Sequence, residues 1–125
     1  MRVLIDSHVL LWWAEGKPLP ARATEIIENP ANDLLFSMAG AWELALKLDR
    51  LGLSNRFEPL LHGAIRELGL TILGIQLSHI IYSGTLPWHH RDPFDRILIA
   101  QALLEGAPIL TADQKIPQYP VQVLW

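Results

Sequence analysis

Short apolar runs alternate along the chain with longer segments in which apolar residues recur every three or four positions. The short runs have the length of strands, and their branched and aromatic side chains favour buried β structure. Gly74 interrupts the third run, and Pro108 opens the fourth. We predict strands at residues 2–5, 34–36, 71–75, 108–110 and 121–124.

The longer segments have the periodicity of helices, and residues that commonly begin or end helices stand at their borders. Pro20 and Pro93 stand where first turns begin, and Gly106 follows the last turn of a strongly apolar segment. Ser7 and Ser37 are predicted to cap the helices that follow them. The predicted helices cover residues 8–14, 20–28, 38–48, 57–68, 77–83 and 93–104.

Strands that alternate with helices indicate an α/β fold with a parallel sheet and right-handed crossovers. The 125 residues are enough for one domain, which we assign to 1–125, and 50% of them are apolar. In open parallel sheets, ligands bind beyond the carboxyl ends of the strands, where the strand order reverses. Residues that directly follow predicted strands are therefore the first candidates for a functional site.

Composition and charge exclude several kinds of function. The chain has no cysteine, which excludes thiolate catalysis and zinc held by sulfur and is compatible with a cytoplasmic location. Charges at Arg2 and Asp6 interrupt the apolar run that a signal peptide would need. The uncharged stretch 68–90 contains three glycines and many polar residues, so we predict no membrane span. The net charge of −3 offers no basic surface, so a polyanion would have to be bound by local Lys and Arg or by metal.

Two acidic residues follow predicted strands. Asp6 comes directly after the first strand, and Asp113 comes shortly after the fourth. If these strands are neighbours, both carboxylates face one crevice, and carboxylates gathered in apolar surroundings usually hold a cation. Each has a structural alternative, because Asp6 could cap the first helix and Asp113 could be a turn residue.

Three more acids lie in helices or at their starts. Glu43 lies in a helix that is apolar almost all round, where the structural alternative is an ion pair with Lys47 one turn later. Asp92 and Pro93 form a good helix start, with Asp92 as the cap. Asp95 shares its face with apolar residues of the same helix, so we predict that it points into the crevice as a ligand.

Other motifs are absent or favour a structural role. No Gly-rich loop follows the first strand and no serine stands in a Gly-x-Ser-x-Gly turn, which excludes dinucleotide, P-loop and serine-hydrolase sites. We expect the tryptophans in core or interface positions rather than as platforms for bases. His89 and His90 are expected to line a loop at the rim of the crevice.

Four segments together resemble the PIN-domain ribonucleases, and in particular the VapC-type toxins of prokaryotic type II toxin–antitoxin pairs. The most specific is His89-His90-Arg91-Asp92-Pro93-Phe94-Asp95-Arg96, which is followed by 99–102. The others are 5–12, 37–43 and 110–113, and the similarity extends from end to end. Family members often carry Thr where Ser7 stands, so the hydroxyl is retained.

The resemblance implies a three-layer α/β/α fold around a central parallel sheet of four to five strands. It also implies Mg²⁺- or Mn²⁺-dependent cleavage of RNA phosphodiester bonds by metal-activated water, and an acidic metal site at Asp6, Glu43, Asp95 and Asp113. Candidates for contacts around the metal ligands are Ser7, Asp92 and Thr111, and candidates for phosphate contacts are Lys47, Arg91 and Arg96.

The implied partners are an RNA substrate, a small antitoxin protein and a second copy of the chain. Trp12, Trp13 and nearby leucines would offer the apolar surface for an antitoxin helix and for a homodimer. Two other functions remain open at this point. The same acids could serve a metal-dependent phosphatase of small phosphate esters, or the chain could be a non-catalytic RNA-binding regulatory module.

Overall fold

The computed structural model describes all residues from 1 to 125, and its centre is a parallel sheet of five strands. The strands are β1 (Arg2–Ile5), β2 (Asp33–Ser37), β3 (Thr71–Leu73), β4 (Ile109–Leu110) and β5 (Val123–Leu124). They lie in the order β3-β2-β1-β4-β5. All five predicted strands are confirmed, but the third, fourth and fifth are shorter than predicted.

Six helices connect and cover the strands. They are α1 (Ser7–Ala14), α2 (Ala21–Glu28), α3 (Met38–Arg50), α4 (Phe57–Leu68), α5 (Leu77–Ser83) and α6 (Pro93–Glu105). Two short 3₁₀ turns lie at Ser54–Arg56 and Ile116–Gln118. No helix is both long enough and apolar enough to cross a membrane. All six predicted helices are confirmed, with boundaries that differ by a few residues.

The side chains of each strand alternate between two hydrophobic clusters on opposite faces of the sheet. Val3 and Ile5 of β1 belong to the cluster that α1, α2, α3 and α4 cover, whereas Leu4 belongs to the cluster that α6 covers. Both faces of the sheet are thus buried, which explains why the strands are apolar at most positions other than their ends. The predicted three-layer α/β/α architecture is confirmed.

The strand order reverses between β1 and β4. From β1 the chain proceeds outward to β2 and β3, and then returns to place β4 and β5 on the other side of β1. Ile5 pairs with Leu110, and the Asp6 backbone N–H donates to the Leu110 carbonyl at 3.0 Å. The neighbouring strands therefore carry Asp6 and the segment leading to Asp113 to the same edge, as the sequence predicted.

Helix ends follow the predicted chemistry with one exception. The Ser37 hydroxyl accepts from the Ala39 N–H at 3.0 Å and caps α3, while Gly106 ends α6 with a left-handed φ of 64°. The exception is α1, where Asp6 is the cap and Ser7 is already the first helical residue. The prediction that Ser7 caps this helix is wrong, because its side chain turns toward another helix instead.

Candidate metal centre

Five carboxylates converge at the carboxyl edge of the sheet, where β1 and β4 end. Asp6 and the loop with Asp113 come from these strands, Glu43 comes from α3, and Asp92 and Asp95 come from the start of α6. Three overlapping groups have ligand atoms within 4.8 Å of one another, and they are Asp6–His8–Glu43, Glu43–Asp92–Asp95 and His90–Asp95–Asp113. The four predicted metal ligands thus share one crevice, which Glu43 and Asp95 link together.

Asp6 both caps α1 and faces the crevice. It is 4% exposed, and its carboxylate accepts from the His8 backbone N–H at 3.4 Å and from the Thr111 hydroxyl at 2.7 Å. Thr111 therefore contacts a predicted metal ligand, as expected. Capping uses Oδ1, while Oδ2 accepts from Thr111. The capping role and a ligand role are therefore compatible.

Glu43 reaches from α3 toward α1. The Ser7 hydroxyl donates to Glu43 Oε1, so the retained hydroxyl at this position orients a predicted metal ligand. No ion pair joins Glu43 to Lys47, which removes the structural alternative for Glu43. Burial raises the pKa of Glu43, and the neighbouring Asp92 and Asp6 carboxylates raise it further.

Asp92 and Asp95 have different tasks at the start of α6. The Asp92 carboxylate accepts from the backbone N–H groups of Phe94 at 2.8 Å and Asp95 at 3.3 Å, so it caps the helix as predicted. Asp95 is only 9% exposed and makes no capping bond through its side chain. Burial raises the pKa of Asp95 to about 8, with further upward contributions from the carboxylates of Asp6, Asp92, Glu43 and Asp113.

The pKa of Asp6 moves in the opposite direction to that of Asp95. Burial alone would raise the pKa of Asp6, but interactions with His8 and Thr111 outweigh it and lower the value. In turn, the Asp6 carboxylate, 3.7 Å from His8 Nδ1, raises the pKa of His8. The Asp6 carboxylate is thus compensated by polar neighbours, whereas burial and four neighbouring carboxylates raise the pKa of Asp95 and favour its protonated form.

His90 is a site residue that the sequence prediction missed. It was expected at the rim, yet it is 7% exposed, and its Nε2 lies 2.9 Å from Asp95 Oδ2 and 2.8 Å from Asp113 Oδ2. The expectation fits only His89, which is exposed and packs edge-on against Tyr119. The one signal for His90 was its place directly before Arg91-Asp92 in the specific segment.

Arg96 does not fulfil the prediction of a phosphate contact. Its side chain is buried, and the guanidinium donates to the carbonyls of Ser83 at 2.8 Å, Leu86 at 3.0 Å and Pro87 at 2.9 Å. The guanidinium carbon also lies 3.9 Å from the ring centroid of Trp88. The donors of Arg96 are therefore committed to the loop that precedes α6, and the prediction is wrong.

One cavity adjoins the crevice, and a separate groove lies next to that cavity. A cavity of about 560 Å³ beside Glu43 and Asp92 is lined also by Lys47, Arg50 and Phe94. A groove of about 910 Å³ runs between α1, α3 and α4, and its apolar lining includes Leu11, Trp12, Trp13, Leu48, Leu51 and Leu60. Lys47 lines both spaces, so both lie next to its side chain. Arg91 is exposed on the loop before α6.

The donor set suits a hard divalent cation. Carboxylate oxygens are the ligands that Mg²⁺ and Mn²⁺ prefer, whereas thiolates are absent. Burial is the main cause of the raised pKa values of Glu43 and Asp95, and repulsion between neighbouring carboxylates adds to it. A cation in the crevice would remove that repulsion, so the residues present fit a metal site.

Comparisons with known proteins agree with this fold. The model of the PIN domain family matches residues 3–122. Ribonuclease VapC22 of Mycobacterium tuberculosis (strain ATCC 25618 / H37Rv) is 28% identical over 120 residues, which cover 91% of this chain and 88% of that protein.

Solved structures show the same fold at low sequence identity. VapBC2 from Rickettsia felis bound to a DNA fragment from its promoter has a TM-score of 0.80 at 14% identity, covering 99% of this chain and 98% of that chain. DNA-bound VapBC from Salmonella typhimurium has a TM-score of 0.78 at 16% identity, covering 99% and 97%. Because the family model spans nearly the whole sequence, the chain belongs to the PIN domain family.

Proposed function

We propose that this chain is a metal-dependent endoribonuclease and the toxin of a type II toxin–antitoxin pair. The observation that carries the proposal is the convergence of five carboxylates in one crevice of a PIN domain. The curated relative named Ribonuclease VapC22 supports the same activity. RNA and an antitoxin would both be encountered in the cytoplasm.

Asp6, Glu43, Asp95 and Asp113 would hold Mg²⁺ or Mn²⁺, with Asp92 close enough to contribute. A divalent cation supplies Lewis acidity toward a phosphate oxygen and lowers the pKa of an attacking water. The chain itself orients the ligands, because Ser7 donates to Glu43 and Thr111 donates to Asp6. These hydroxyls reduce the freedom of both carboxylates before any substrate arrives.

The substrate path would begin in the cavity beside Glu43. Lys47 and Arg50 line this cavity, and neither forms an ion pair with the acidic cluster. Their charges would attract the phosphates of RNA, which the net charge of −3 would otherwise repel. Lys47 thus remains a candidate for phosphate contact, and Arg50 joins it in place of Arg96.

The proposed antitoxin would place an amphipathic helix in the groove between α1, α3 and α4. Trp12 and Trp13 line that groove together with leucines from the other two helices. Such a lining suits the apolar face of a helix. The solved complexes of VapB and VapC proteins support a small protein partner for this chain as well.

A homodimer would use a different surface. Leu77 is 71%, Ile80 51% and Ile81 63% exposed on α5, and Leu104 on α6 is 46% exposed. Clustered exposed apolar residues commonly mark interaction sites. We therefore move the proposed self-association surface from Trp12 and Trp13 to α5. Light scattering that reports a monomer at micromolar concentration would contradict this part of the proposal.

The central test is cleavage of a synthetic RNA by purified protein with Mg²⁺, with Mn²⁺ and with excess EDTA. We expect cleavage only with metal, and products with 5′-phosphate and 3′-hydroxyl ends because water rather than the ribose 2′-hydroxyl attacks. Asp6→Asn and Asp113→Asn should each reduce the rate at least about 100-fold, since several kcal/mol of stabilisation depend on the ion. Asn can still cap α1, so Asp6→Asn should stay folded.

The other outcomes separate the rival functions. Undiminished cleavage in EDTA would exclude the metal mechanism. Hydrolysis of p-nitrophenyl phosphate without RNA cleavage would favour a phosphatase of small esters. RNA binding of equal strength in the wild type and both variants, without cleavage, would favour a non-catalytic module.

A further inference from the structure

We propose that His90 is a positioning residue, which holds Asp113 against Asp95 in the arrangement that a cation between them requires. This inference rests on the proposed function of the crevice. His90 is buried within the acidic cluster, and a role at the rim of the crevice would not explain this position.

The hydrogen bonds of the imidazole define which nitrogen carries the hydrogen. The Asp92 backbone N–H donates to His90 Nδ1 at 3.2 Å, so Nδ1 presents a lone pair. In the neutral ring the hydrogen is therefore on Nε2. That N–H forms a hydrogen bond with Asp113 Oδ2 at 2.8 Å, and Asp95 Oδ2 lies 2.9 Å from the same nitrogen.

This arrangement is the reverse of a histidine that binds metal. A metal-binding histidine offers a lone pair to the ion and donates its other N–H to an acceptor. Here the nitrogen that faces the acids is the donor, and the other nitrogen already accepts from a backbone N–H. His90 is therefore suited to hold the ligands and not to be one of them.

Asp113 has a particular need for such a contact. It lies on the loop after β4, and its side chain is 29% exposed. Its Oδ1 accepts from the Lys115 N–H at 2.9 Å, and its own N–H donates to the Thr111 hydroxyl at 3.0 Å. These local bonds shape the loop, whereas the contact of Oδ2 with His90 directs the carboxylate to Asp95.

His90 can act in this way because its own backbone is fixed. Its N–H donates to the Tyr119 hydroxyl at 2.9 Å, and its carbonyl accepts from Arg96 at 3.3 Å. Arg96 is 5% exposed and binds three further carbonyls of the same loop. A continuous set of contacts thus runs from buried Arg96 through His90 to the more exposed Asp113.

Two substitutions separate the two sides of the ring. In His90→Gln the amide nitrogen can take the place of Nε2 and donate to the acids, but the acceptor for the Asp92 N–H is lost. In His90→Asn the amide oxygen can take the place of Nδ1 and accept from Asp92, but no donor reaches the acids. His90→Ala removes both the donor and the acceptor. His89→Gln, at the exposed neighbouring position, is the matched control.

The main measurement is calorimetric titration of EDTA-stripped protein with Mn²⁺, with thermal melting of each variant alongside. We expect His90→Asn and His90→Ala to lose about 10- to 100-fold in Mn²⁺ affinity, as is usual when a contact to a metal ligand is removed. His90→Gln and His89→Gln should bind within a few-fold of the wild type. Equal loss in Gln and Asn, or unchanged affinity in all variants, would overturn the proposal.

Two further measurements distinguish a positioning role of His90 from a general loss of structure in its variants. Long-range ¹H–¹⁵N spectra of the metal-free wild type should show His90 protonated at Nε2, and metal should leave that proton in place. Loss of the Nε2 proton when metal is added would make His90 a ligand and contradict the proposal. Tighter Mn²⁺ binding by His90→Ala would show that His90 competes with metal, which contradicts it equally.

Mn²⁺ binding by the wild type distinguishes a wrong role for His90 from a wrong proposed function. If the wild type binds no Mn²⁺, the proposed metal-dependent activity is excluded, and the role of His90 in positioning metal ligands is excluded as well. If the wild type binds Mn²⁺ and all His90 variants bind it equally well, only the positioning role is excluded.

Discussion

At the scale of single residues, the surroundings of a carboxylate decide whether burial is tolerated. Asp6 is even less exposed than Asp95, yet His8 and Thr111 lower the pKa of Asp6, whereas burial raises that of Asp95 to about 8. The protonated form of Asp95 therefore stabilises the metal-free fold. This contribution is complete below about pH 4 and is lost as the pH rises through 8.

The prediction for Asp95 concerns the slope of stability with pH. In EDTA, the free energy of unfolding of the wild type should fall between pH 6 and pH 9, and Asp95→Asn should flatten this fall and be the more stable protein at pH 9. Some slope should remain, because the pKa values of His8 and Glu43 are also raised. Urea unfolding at four pH values measures this, and equal slopes in both proteins would count against it.

Individual site residues differed in how well the sequence predicted them. Asp6, Glu43, Asp92 and Asp95 each stand at a strand end or on a helix face, so local periodicity was enough to single them out. His90 and Arg96 lacked such a signal. The partners of His90 come from two separate segments, and those of Arg96 are loop carbonyls, which only the tertiary structure brings together.

At the scale of elements, the helices were predicted well because capping residues and apolar periodicity are local. The strands β3, β4 and β5 were predicted too long, since their ends depend on pairing with neighbours that the sequence does not reveal. The loop between α5 and α6 is the element that prediction described least, because its order comes from Arg96 and Tyr119 rather than from its own residues.

Arg96 should therefore be essential for this loop and for stability. Arg96→Met would leave the carbonyls of Leu86 and His90 without a donor, whereas those of Ser83 and Pro87 would each keep one other donor. Each buried unpaired group costs about 1–3 kcal/mol, so we expect a loss of at least about 2 kcal/mol in urea unfolding. Arg91→Met on the exposed neighbour should change stability by less than about 0.5 kcal/mol. Equal stability of both variants would show that the carbonyls do not depend on Arg96.

At the scale of the whole molecule, the groove lies next to the cavity that adjoins the acidic crevice. Lys47 lines the groove between α1, α3 and α4 and also the cavity beside Glu43. A chain that continues from a helix in the groove past Lys47 would approach the acids. The sequence pointed to Trp12 and Trp13 as an interaction surface, but the connection to the site required the packing of three helices that are distant in sequence.

The closeness of the groove to the acidic crevice predicts how an antitoxin would inhibit the proposed nuclease activity. An arginine that follows the docked helix would enter the crevice, where its planar fork of donors matches a pair of carboxylates and cannot be deprotonated. Arginine and metal would then exclude one another, and each would weaken the binding of the other by the same factor. We expect the proposed antitoxin, to be sought as a small protein encoded next to this gene, to bind the metal-free chain at least about tenfold more tightly than the chain saturated with Mn²⁺, as measured by calorimetry. Leu60→Glu in the groove should weaken binding in both conditions, whereas Ala21→Glu at an exposed position of α2 should not. Identical affinity with and without Mn²⁺ would mean that inhibition takes place away from the acids.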